Sequence, residues 1–336
     1  MTHAKRQPAD GTLVSAAKGL VPGALRAVVR PAIRVIAPGF AGRKQQVAIE
    51  ADTTRFPFGH YLASEKLGVV LCAIPKCGCS TTKYWFARAI KGQDFKLPVG
   101  GIHRFCRKRF ALESKPPVRV AALLEQCVKF AIVRDPLERL ASAYGNKFVP
   151  RPFEVVSTPV IEAVQLGFPA HVLHDSTRTI RRSRGEREIP VSSRVDYRRG
   201  ITFREFVQYV VRTPNAELDP HWRPQIDFVS PVKLDLIAPL EQIGWAIAEV
   251  QRRAGITGPT PETRQPKSAA RGAVDCLADV PSGEFRKQKL MPTAGSLFDD
   301  DLREAVRRRY AGDIELHARA CSEVGKLALE SGSAVR

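Results

Sequence analysis

Residues 67–83 read LGVVLCAIPKCGCSTTK, and this stretch decides the fold. Its first part, Gly68 to Ile74, is a short apolar run rich in β-branched residues, which is typical of a buried strand. Pro75 ends the run, and Thr82 to Ile90 carries apolar residues at helical spacing. A strand that leads through a polar turn into a helix predicts an α/β protein.

The turn between this strand and helix has the composition of an anion-binding site. Gly78 permits a tight turn, and Ser80, Thr81 and Thr82 stand where a helix N-terminus offers unpaired N–H groups. Lys76 adds a point cation. The alternative is an ordinary strand–turn–helix in which the hydroxyls only cap the helix. The G-x-x-x-x-G-K-[ST] pattern of a Walker A loop is missing, which disfavours an Mg-nucleotide triphosphatase.

A second stretch, VKFAIVRDPLERLASAYGNKF at residues 128–148, has the same organisation. Cys127 to Val133 predicts a strand, and Pro136 to Lys147 predicts a helix that begins at its proline. Arg134 at the strand end and Ser142 on the helix are placed to meet at a terminal phosphate, which arginine binds in bidentate fashion.

The alternative for Arg134 is a structural ion pair with Asp135 or Glu138. If both turns bind phosphate, they fit the two phosphate-bearing ends of one adenine nucleotide.

Together these segments resemble the carbohydrate sulfotransferases, in particular the branch of the chondroitin and dermatan enzymes and their bacterial relatives. PKCGCSTTKYW is similar to that family's 5′-phosphosulfate loop. IVRDPLERLASAYGNKF follows its 3′-phosphate motif, R-[DE]-P-x-x-R-L-x-S-A-Y-x-N-K-F, nearly letter for letter. DPHWRPQ at residues 219–225, followed by the strand-like Lys233 to Ala238 and by Glu241, is similar to its third block. The resemblance covers roughly residues 55–320.

The resemblance implies an α/β fold, specifically a three-layer P-loop-like domain with a central parallel sheet flanked by helices. It also implies that 3′-phosphoadenosine 5′-phosphosulfate (PAPS) donates a sulfuryl group to a carbohydrate hydroxyl by in-line displacement, with no metal required. Lys76 and the turn would hold the 5′-phosphosulfate, and Arg134 and Ser142 would hold the 3′-phosphate. The implied cofactor-binding residues are Lys76, Cys77, Gly78, Cys79, Ser80, Thr81, Thr82, Arg134 and Ser142.

Three residues are predicted to be catalytic, namely Lys76, His103 and His221. Lys76 would stabilise the leaving oxygen, and a histidine is the usual proton acceptor near neutral pH. His103 lies in GGIHRF, where the family often carries a loop histidine, and His221 lies in DPHW. Either can be the base, with Asp219 as the next choice; His221 can also be an acceptor-site residue, or simply pack against Trp222.

The formal net charge of +19 predicts an anionic partner. The basic segment Arg178 to Arg199 hints at an acidic polysaccharide acceptor, although it can equally be a solvated loop. A lipid-linked glycan also fits. No nucleic acid is expected, because the sequence lacks zinc-finger spacing and RNP-like aromatic motifs.

Seven cysteines at irregular spacing predict reduced thiols and a reducing compartment. No apolar run reaches the length of a membrane span, whereas the family's animal members carry an N-terminal Golgi anchor. We therefore expect a cytoplasmic enzyme of the bacterial type. Residues 20–40 repeat arginine every four positions and predict either peripheral membrane contact or a loosely packed extension, since prolines interrupt the repeat.

The chain divides into a basic N-terminal extension, 1–50, and a single sulfotransferase domain, 51–336. Within the domain we expect a cofactor half at 55–148 and acceptor-side insertions at 149–200 and 255–295, the latter a loop.

Further helices are predicted at Ile201 to Arg212, with a Thr202–Glu205 capping box, at Leu240 to Ala254, and at Asp299 to Glu330 with a break near Gly312.

Two other functions compete with sulfuryl transfer. A P-loop-type kinase or another nucleotide-dependent transferase would bind Mg-ATP, which the missing G-K-[ST] disfavours. A non-enzymatic polyanion-binding protein would bind its ligand through surface charge, independently of Lys76 and Arg134.

Overall fold

A four-stranded sheet organises the part of the chain that the computed structural model describes, residues 52–96, 99–151, 155–167, 194–258 and 276–330. The strands follow one another across the sheet in chain order. They are β1 (Tyr61–Ser64), β2 (Val69–Cys72), β3 (Val128–Val133) and β4 (Leu236–Pro239). The three strands predicted from the sequence are confirmed, each with somewhat different ends.

The sheet is mixed. β2, β3 and β4 run parallel, with Cys72 opposite Ala131 and Val133 opposite Pro239. β1 pairs with β2 in the antiparallel sense, an edge strand that the sequence did not predict. Because parallel strands end on the same side of a sheet, the turns after β2, β3 and β4 lie along one edge.

Twelve α-helices lie in the described residues. They are α1 (Cys79–Lys91), α2 (Gly101–Phe110), α3 (Pro117–Gln126), α4 (Pro136–Lys147), α5 (Thr158–Leu166), α6 (Phe203–Arg212), α7 (Ile226–Val229), α8 (Ile243–Ala254), α9 (Ser282–Lys287), α10 (Ala294–Leu297), α11 (Asp300–Arg309) and α12 (Ala311–Glu330). Helices α8 and α12 pack on β3 and β4, so the fold is a mixed α/β arrangement with a sheet flanked by helices.

Local capping chemistry sets the start of two predicted helices. The Asp135 carboxylate accepts a hydrogen bond from the Glu138 N–H at 3.0 Å, and α4 begins at the next residue, Pro136. Thr202 and Glu205 form the predicted capping box before α6, because each side chain accepts from the other's backbone N–H. These two predictions are confirmed.

Other boundaries differ from the prediction. Helix α1 begins at Cys79, three residues before the predicted start, because left-handed Gly78 already serves as its N-cap. Leu240–Gln242 forms a separate 3₁₀ turn ahead of α8. The final helical pattern breaks at Tyr310, close to the predicted Gly312.

Two hydrophobic clusters form the interior. The first surrounds the sheet. The second joins α4, α6 and α11 around a group of aromatic rings, Tyr144, Phe148, Phe203, Phe206 and Trp222. Phe285 and Leu297 in this cluster come from α9 and α10, so the described end of the predicted 255–295 loop is partly helical and buried.

Several predictions concern residues outside the described ranges: the basic extension 1–50 with its 20–40 segment, most of Arg178 to Arg199, and residues 259–275. Among the described residues, no helix is both long enough and apolar enough to cross a membrane.

Candidate functional site

Three sequence segments meet where the parallel strands end. Lys76 follows β2 by four residues, Arg134 follows β3 directly, and Glu241 lies two residues beyond β4. The first two are close enough for the charge of Arg134 to contribute to lowering the pKa of Lys76. This edge therefore gathers residues from the first two predicted motifs beside the end of the third.

Lys76 is the most perturbed cation at this edge. Its backbone is left-handed, with φ of 69°, a conformation that non-glycine residues seldom adopt. Burial lowers the pKa of its ammonium from 10.5 to about 8, and the positive charges of Lys147, Arg134 and Arg139 act in the same direction, whereas Cys79 opposes them. A group of cations that disfavour one another's charge is suited to an anionic ligand.

The N-terminus of α1 adds backbone donors beside Lys76. Gly78 caps the helix with φ of 68°, and no side chain accepts a hydrogen bond at this end. The left-handed backbone angle favours glycine at this position, and a Cβ there would also press on the end of the Leu240 side chain, at 2.7 Å from its Cδ1. The first backbone bond runs from the Thr82 N–H to the Gly78 carbonyl, which leaves the N–H groups of the preceding turn available to an anion.

Two residues of the predicted phosphosulfate loop have side chains occupied elsewhere. The Thr82 hydroxyl donates back to the carbonyls of Gly78 and Cys79, at 3.4 and 3.3 Å. The Cys77 thiol is buried and donates to Gln225 Oε1 at 3.0 Å, and burial raises its pKa to about 12. Only the main chain of these residues can face a ligand, whereas Ser80 is exposed at the helix end.

Arg134 is held beside the edge, with 18% of its side chain exposed. One guanidinium nitrogen lies 3.2 Å from Glu138 Oε2, so the ion pair predicted as the alternative exists in this structure. Glu138 is itself half exposed, and an ion pair with a solvated carboxylate contributes little stability, so a phosphate can replace the carboxylate. Ser142 lies on the second turn of α4 and is partly buried.

His103 lies in the first turn of α2, and not in a loop as predicted. Its ring is in contact with two residues of α1: Nε2 lies 3.1 Å from Ser80 Oγ and Nδ1 lies 3.2 Å from Lys83 Nζ. His103 is exposed as a whole, but partial desolvation of its ring, and then the charges of Lys83, His221, Lys147 and Lys76, lower its pKa to about 4. His103 is therefore neutral at physiological pH.

His221 forms a pair with Asp219. Its Nδ1 lies 2.6 Å from Asp219 Oδ1, and the same oxygen accepts the His221 backbone N–H at 2.9 Å. The predicted contact with Trp222 also exists, with the ring centroids 6.3 Å apart. A carboxylate at Nδ1 fixes the tautomer whose Nε2 can accept a proton.

His60 is a residue near the site to which the sequence assigned no role. Burial lowers its pKa to about 4, with Lys83 and Arg107 adding to the effect and the Ala73 backbone opposing it, and the charge of His221 acts on it as well. Its ring packs edge-on against Phe228, with centroids 5.1 Å apart. Because His60 lies before β1, the edge strand that was not predicted, its position was not visible from the sequence.

Arg139 joins the three motifs, a role that the sequence analysis missed. Its side chain is 2% exposed and donates to three backbone carbonyls: Pro75 at 3.0 Å, Pro220 at 3.0 Å and Arg223 at 2.8 Å. One guanidinium thus connects the phosphosulfate turn to both sides of His221. The arginine in the R-L part of the second motif was the available signal.

Gln225 is a second connector that was missed. It is fully buried, and its amide bonds both the N–H and the carbonyl of Arg134 as well as the Cys77 thiol. Its own N–H donates to Asp313 Oδ2 at 2.7 Å. Asp313 is buried, which raises the pKa of its carboxyl, whereas Arg139 and the backbone donors oppose this effect. The last residue of the DPHWRPQ block therefore holds the first and second motifs together.

The model of the sulfotransferase family matches residues 59–318, which include every residue of this site. The chain belongs to the sulfotransferase family. It is similar to carbohydrate sulfotransferase 14 of Danio rerio, with 27% identity over 58% of this chain and 48% of that protein.

Other relatives give a consistent result. Carbohydrate sulfotransferase 14 of Mus musculus is 29% identical over 55% of this chain and 43% of its own length. Carbohydrate sulfotransferase 11 of Rattus norvegicus is 24% identical over 59% of this chain and 54% of its own. The chain thus spans about half the length of these curated relatives, all from animals. No solved structure matches the chain significantly.

Proposed function

We propose that this protein transfers a sulfuryl group from PAPS to a hydroxyl of a carbohydrate. The observation that carries the proposal is the convergence of Lys76, Arg134 and the N-terminus of α1, which no side chain caps, at one edge of the sheet in a chain of the sulfotransferase family. The relatives named above are carbohydrate sulfotransferases, which supports a sugar acceptor.

The residues present fit PAPS. Lys76 and the free N–H groups of Cys79, Ser80 and Thr81 would hold the 5′-phosphosulfate, with left-handed Gly78 setting the start of the helix that presents them. Arg134 and Ser142 would hold the 3′-phosphate. The chemistry matches because each end presents cations or donors to an anion. We also propose that the sheet edge belongs to a three-layer, P-loop-like domain, since a strand–turn–helix unit carries the phosphosulfate turn.

The protein's own groups have three tasks in this reaction. When bound, PAPS supplies the sulfuryl group, which the acceptor hydroxyl takes in line as the sulfur–oxygen bond to the 5′-phosphate breaks. Lys76 stabilises the negative charge on the departing phosphate oxygen. Arg134 fixes the far end of the nucleotide, which orients the reacting bond. A base takes the proton of the acceptor hydroxyl.

We assign the base to His221. Asp219 occupies Nδ1, so Nε2 carries the lone pair that can take the acceptor proton. Both ring nitrogens of His103, the other predicted base, are engaged, one by Ser80 and one by Lys83. His221 is therefore the better placed of the two predicted histidines.

The test of this assignment compares His221→Ala and Asp219→Asn with the wild type. Loss of a general base typically lowers turnover by about 10²–10⁴-fold. We expect both variants to lose turnover while their affinity for 3′-phosphoadenosine 5′-phosphate (PAP) is retained. Full turnover of His221→Ala at saturating PAPS would exclude His221 as the base.

We propose that the acceptor is acidic. Helix α2, which carries His103, exposes Arg104, Lys108 and Arg109 on its surface, and Arg107 beside them pairs with Glu113 at 2.8 Å. A row of cations next to the site would attract a polyanionic glycan.

The double variant Arg104→Glu/Lys108→Glu tests the acidic acceptor. We expect it to raise KM for an acidic polysaccharide more than for a neutral one, with PAP affinity unchanged. The matched control is Arg307→Glu/Arg308→Glu on α11. An equal rise in KM for neutral acceptors would contradict the proposal. Four expectations from the sequence stay predictions: peripheral membrane contact, a lipid-linked glycan acceptor, a bacterial source and a cytoplasmic location.

The decisive experiment for the function is calorimetric titration with PAP in the absence of metal. We expect micromolar binding by the wild type and by the exposed control variant Arg88→Ala, and at least tenfold weaker binding by Arg134→Ala, because a bidentate charged contact is lost. Tighter binding of Mg-ATP than of PAP would favour the kinase alternative and overturn the proposal. If the Lys76→Ala and Arg134→Ala variants both bind PAP as tightly as the wild type, a polyanion-binding protein is favoured.

A further inference from the structure

We infer that Lys83 and His103 are positioning residues that orient the Ser80 hydroxyl toward a bound phosphosulfate. The inference rests on the proposed function, because it assumes that the N-terminus of α1 receives an anion. It assigns a role to Lys83, which is not among the predicted cofactor-binding residues, and it changes the role of His103 from base to orienting group.

The three residues form a continuous hydrogen-bonded chain. Ser80 and Lys83 lie one turn apart on α1, and the His103 ring from α2 lies between them. Ser80 Oγ is 3.1 Å from His103 Nε2, and Lys83 Nζ is 3.2 Å from His103 Nδ1. Helices α1 and α2 pack directly on each other, so the ring is held by both of its nitrogens.

The chemistry of the donors fixes the direction of the hydrogen bonds from Lys83 through His103 to Ser80. An ammonium group has three donors and no acceptor, so Lys83 donates to His103 Nδ1. A neutral imidazole that accepts at Nδ1 carries its proton at Nε2, and this proton is donated to Ser80 Oγ. The Ser80 oxygen is then occupied as an acceptor, and its own proton is free to point to the ligand side of the turn.

The surroundings of Lys83 agree with an anion bound beside Ser80, at the end of this series of hydrogen bonds. Its side chain is 8% exposed, and the charged or titratable groups that act on it are Cys79, Cys106, Arg107 and Cys72, with His103 in contact and His60 nearby. No carboxylate is among these described groups. Burial accordingly lowers the pKa of Lys83. A buried ammonium without a carboxylate partner gains from a bound anion.

The first experiment measures the tautomer of His103 by nitrogen NMR in the ligand-free protein. We expect the proton on Nε2 in the wild type, and a mixture of tautomers in Lys83→Met. The exposed lysine at the end of α1 provides the control, Lys91→Met, which should leave the tautomer unchanged. A wild-type ring protonated at Nδ1 overturns the inference whatever the ligand does.

The second experiment compares the affinities of two nucleotides. PAP carries a 5′-phosphate, and adenosine 3′-phosphate does not. We expect Ser80→Ala, His103→Ala and Lys83→Met each to weaken PAP binding by roughly tenfold to a hundredfold, the weight of one hydrogen bond to a charged group, and to leave adenosine 3′-phosphate binding unchanged.

A third comparison separates an orienting group from a base. Glutamine places an amide N–H near the position of the histidine Nε2 donor, but it cannot accept a proton in catalysis. We expect His103→Gln to lose much less turnover than His103→Ala, with the same dependence of kcat on pH as the wild type. Equal losses in the two variants would make His103 a base and overturn the inference.

The failures of the two proposals differ. If the wild type binds no PAP, the proposed function fails, and the inferred anion contact fails with it. If the wild type binds PAP but the Ser80, His103 and Lys83 variants bind it equally well, only the orienting role fails.

Discussion

The side-chain amide of Gln225 forms two hydrogen bonds with the main chain of Arg134, accepting from its N–H at 2.9 Å and donating to its carbonyl at 2.8 Å. An amide that pairs with both backbone groups of one residue acts like a neighbouring strand. It continues the pairing of the sheet past the end of β3 and fixes the residue proposed to hold the 3′-phosphate.

Replacement of Gln225 by glutamate tests this connection. Gln225→Glu removes the donor to the Arg134 carbonyl and places a second carboxylate beside Asp313, which already accepts from the Gln225 N–H and side chain. We expect unfolding in urea to show a loss of about 2–4 kcal/mol and PAP affinity to fall. The exposed control Gln93→Glu should change neither quantity.

Arg139 is predicted to be essential for stability. Arg139→Lys keeps the charge but cannot donate to three carbonyls in three directions, so at least two buried acceptors lose their partner. We expect a loss of about 3 kcal/mol in the free energy of unfolding. The exposed Arg88→Lys on α1 is the matched control. Equal stability of the two variants would show that water replaces the guanidinium.

The affinity for PAP is predicted to fall as pH rises above 8. The pKa of Lys76 is lowered to about 8, so its ammonium is charged below this pH and loses its proton above it. A bound anion raises the pKa, so affinity falls by up to about tenfold per pH unit between the free and bound values. Calorimetry of the wild type and Lys76→Met should give an affinity ratio that shrinks between pH 7.5 and 9.5, roughly the interval in which the free amine forms.

The same pKa has the opposite effect on folding. An unfolded lysine keeps its proton to about pH 10.4, so the unfolded chain binds more protons than the folded one between the two pKa values. The contribution of Lys76 to stability therefore rises with pH through this window, while ligand affinity falls.

The capping box before α6 predicts a local loss of stability. Thr202→Ala removes the oxygen that accepts the Glu205 N–H at 3.0 Å and should cost about 1 kcal/mol in urea unfolding. Glu205→Gln, which preserves the box, should cost much less. A similar loss in both variants would indicate that the ion pair of Arg199 with Glu205, 3.4 Å apart, contributes as much stability as the cap.

Features written in neighbouring residues were predictable from the sequence. The capping box spans four positions. The strand β2, the glycine of the turn and the hydroxyl residues at the start of α1 follow one another directly in the sequence. The Asp219–His221 pair is also local, since the partners are two residues apart.

Arg139 and Gln225 could not be predicted in the same way. The carbonyls that Arg139 bonds lie 64, 81 and 84 residues away, and Gln225 reaches Arg134 across 91. Such contacts depend on how the strands are ordered in the sheet. The helix that carries His103 was missed because two glycines at its start, Gly100 and Gly101, indicate a loop, whereas both have positive φ and lead into α2.

At position 76, the residue that favours ligand binding differs from the residue that favours folding, because the backbone of Lys76 is left-handed. An L-residue in this conformation costs about 1–2 kcal/mol, which glycine would avoid. Lys76→Gly should therefore unfold at higher urea concentration than Lys76→Ala, although both lack the cation and bind PAP equally weakly. The most stable residue at position 76 is thus not the one that the proposed reaction requires, and a screen for stability alone would select inactive protein.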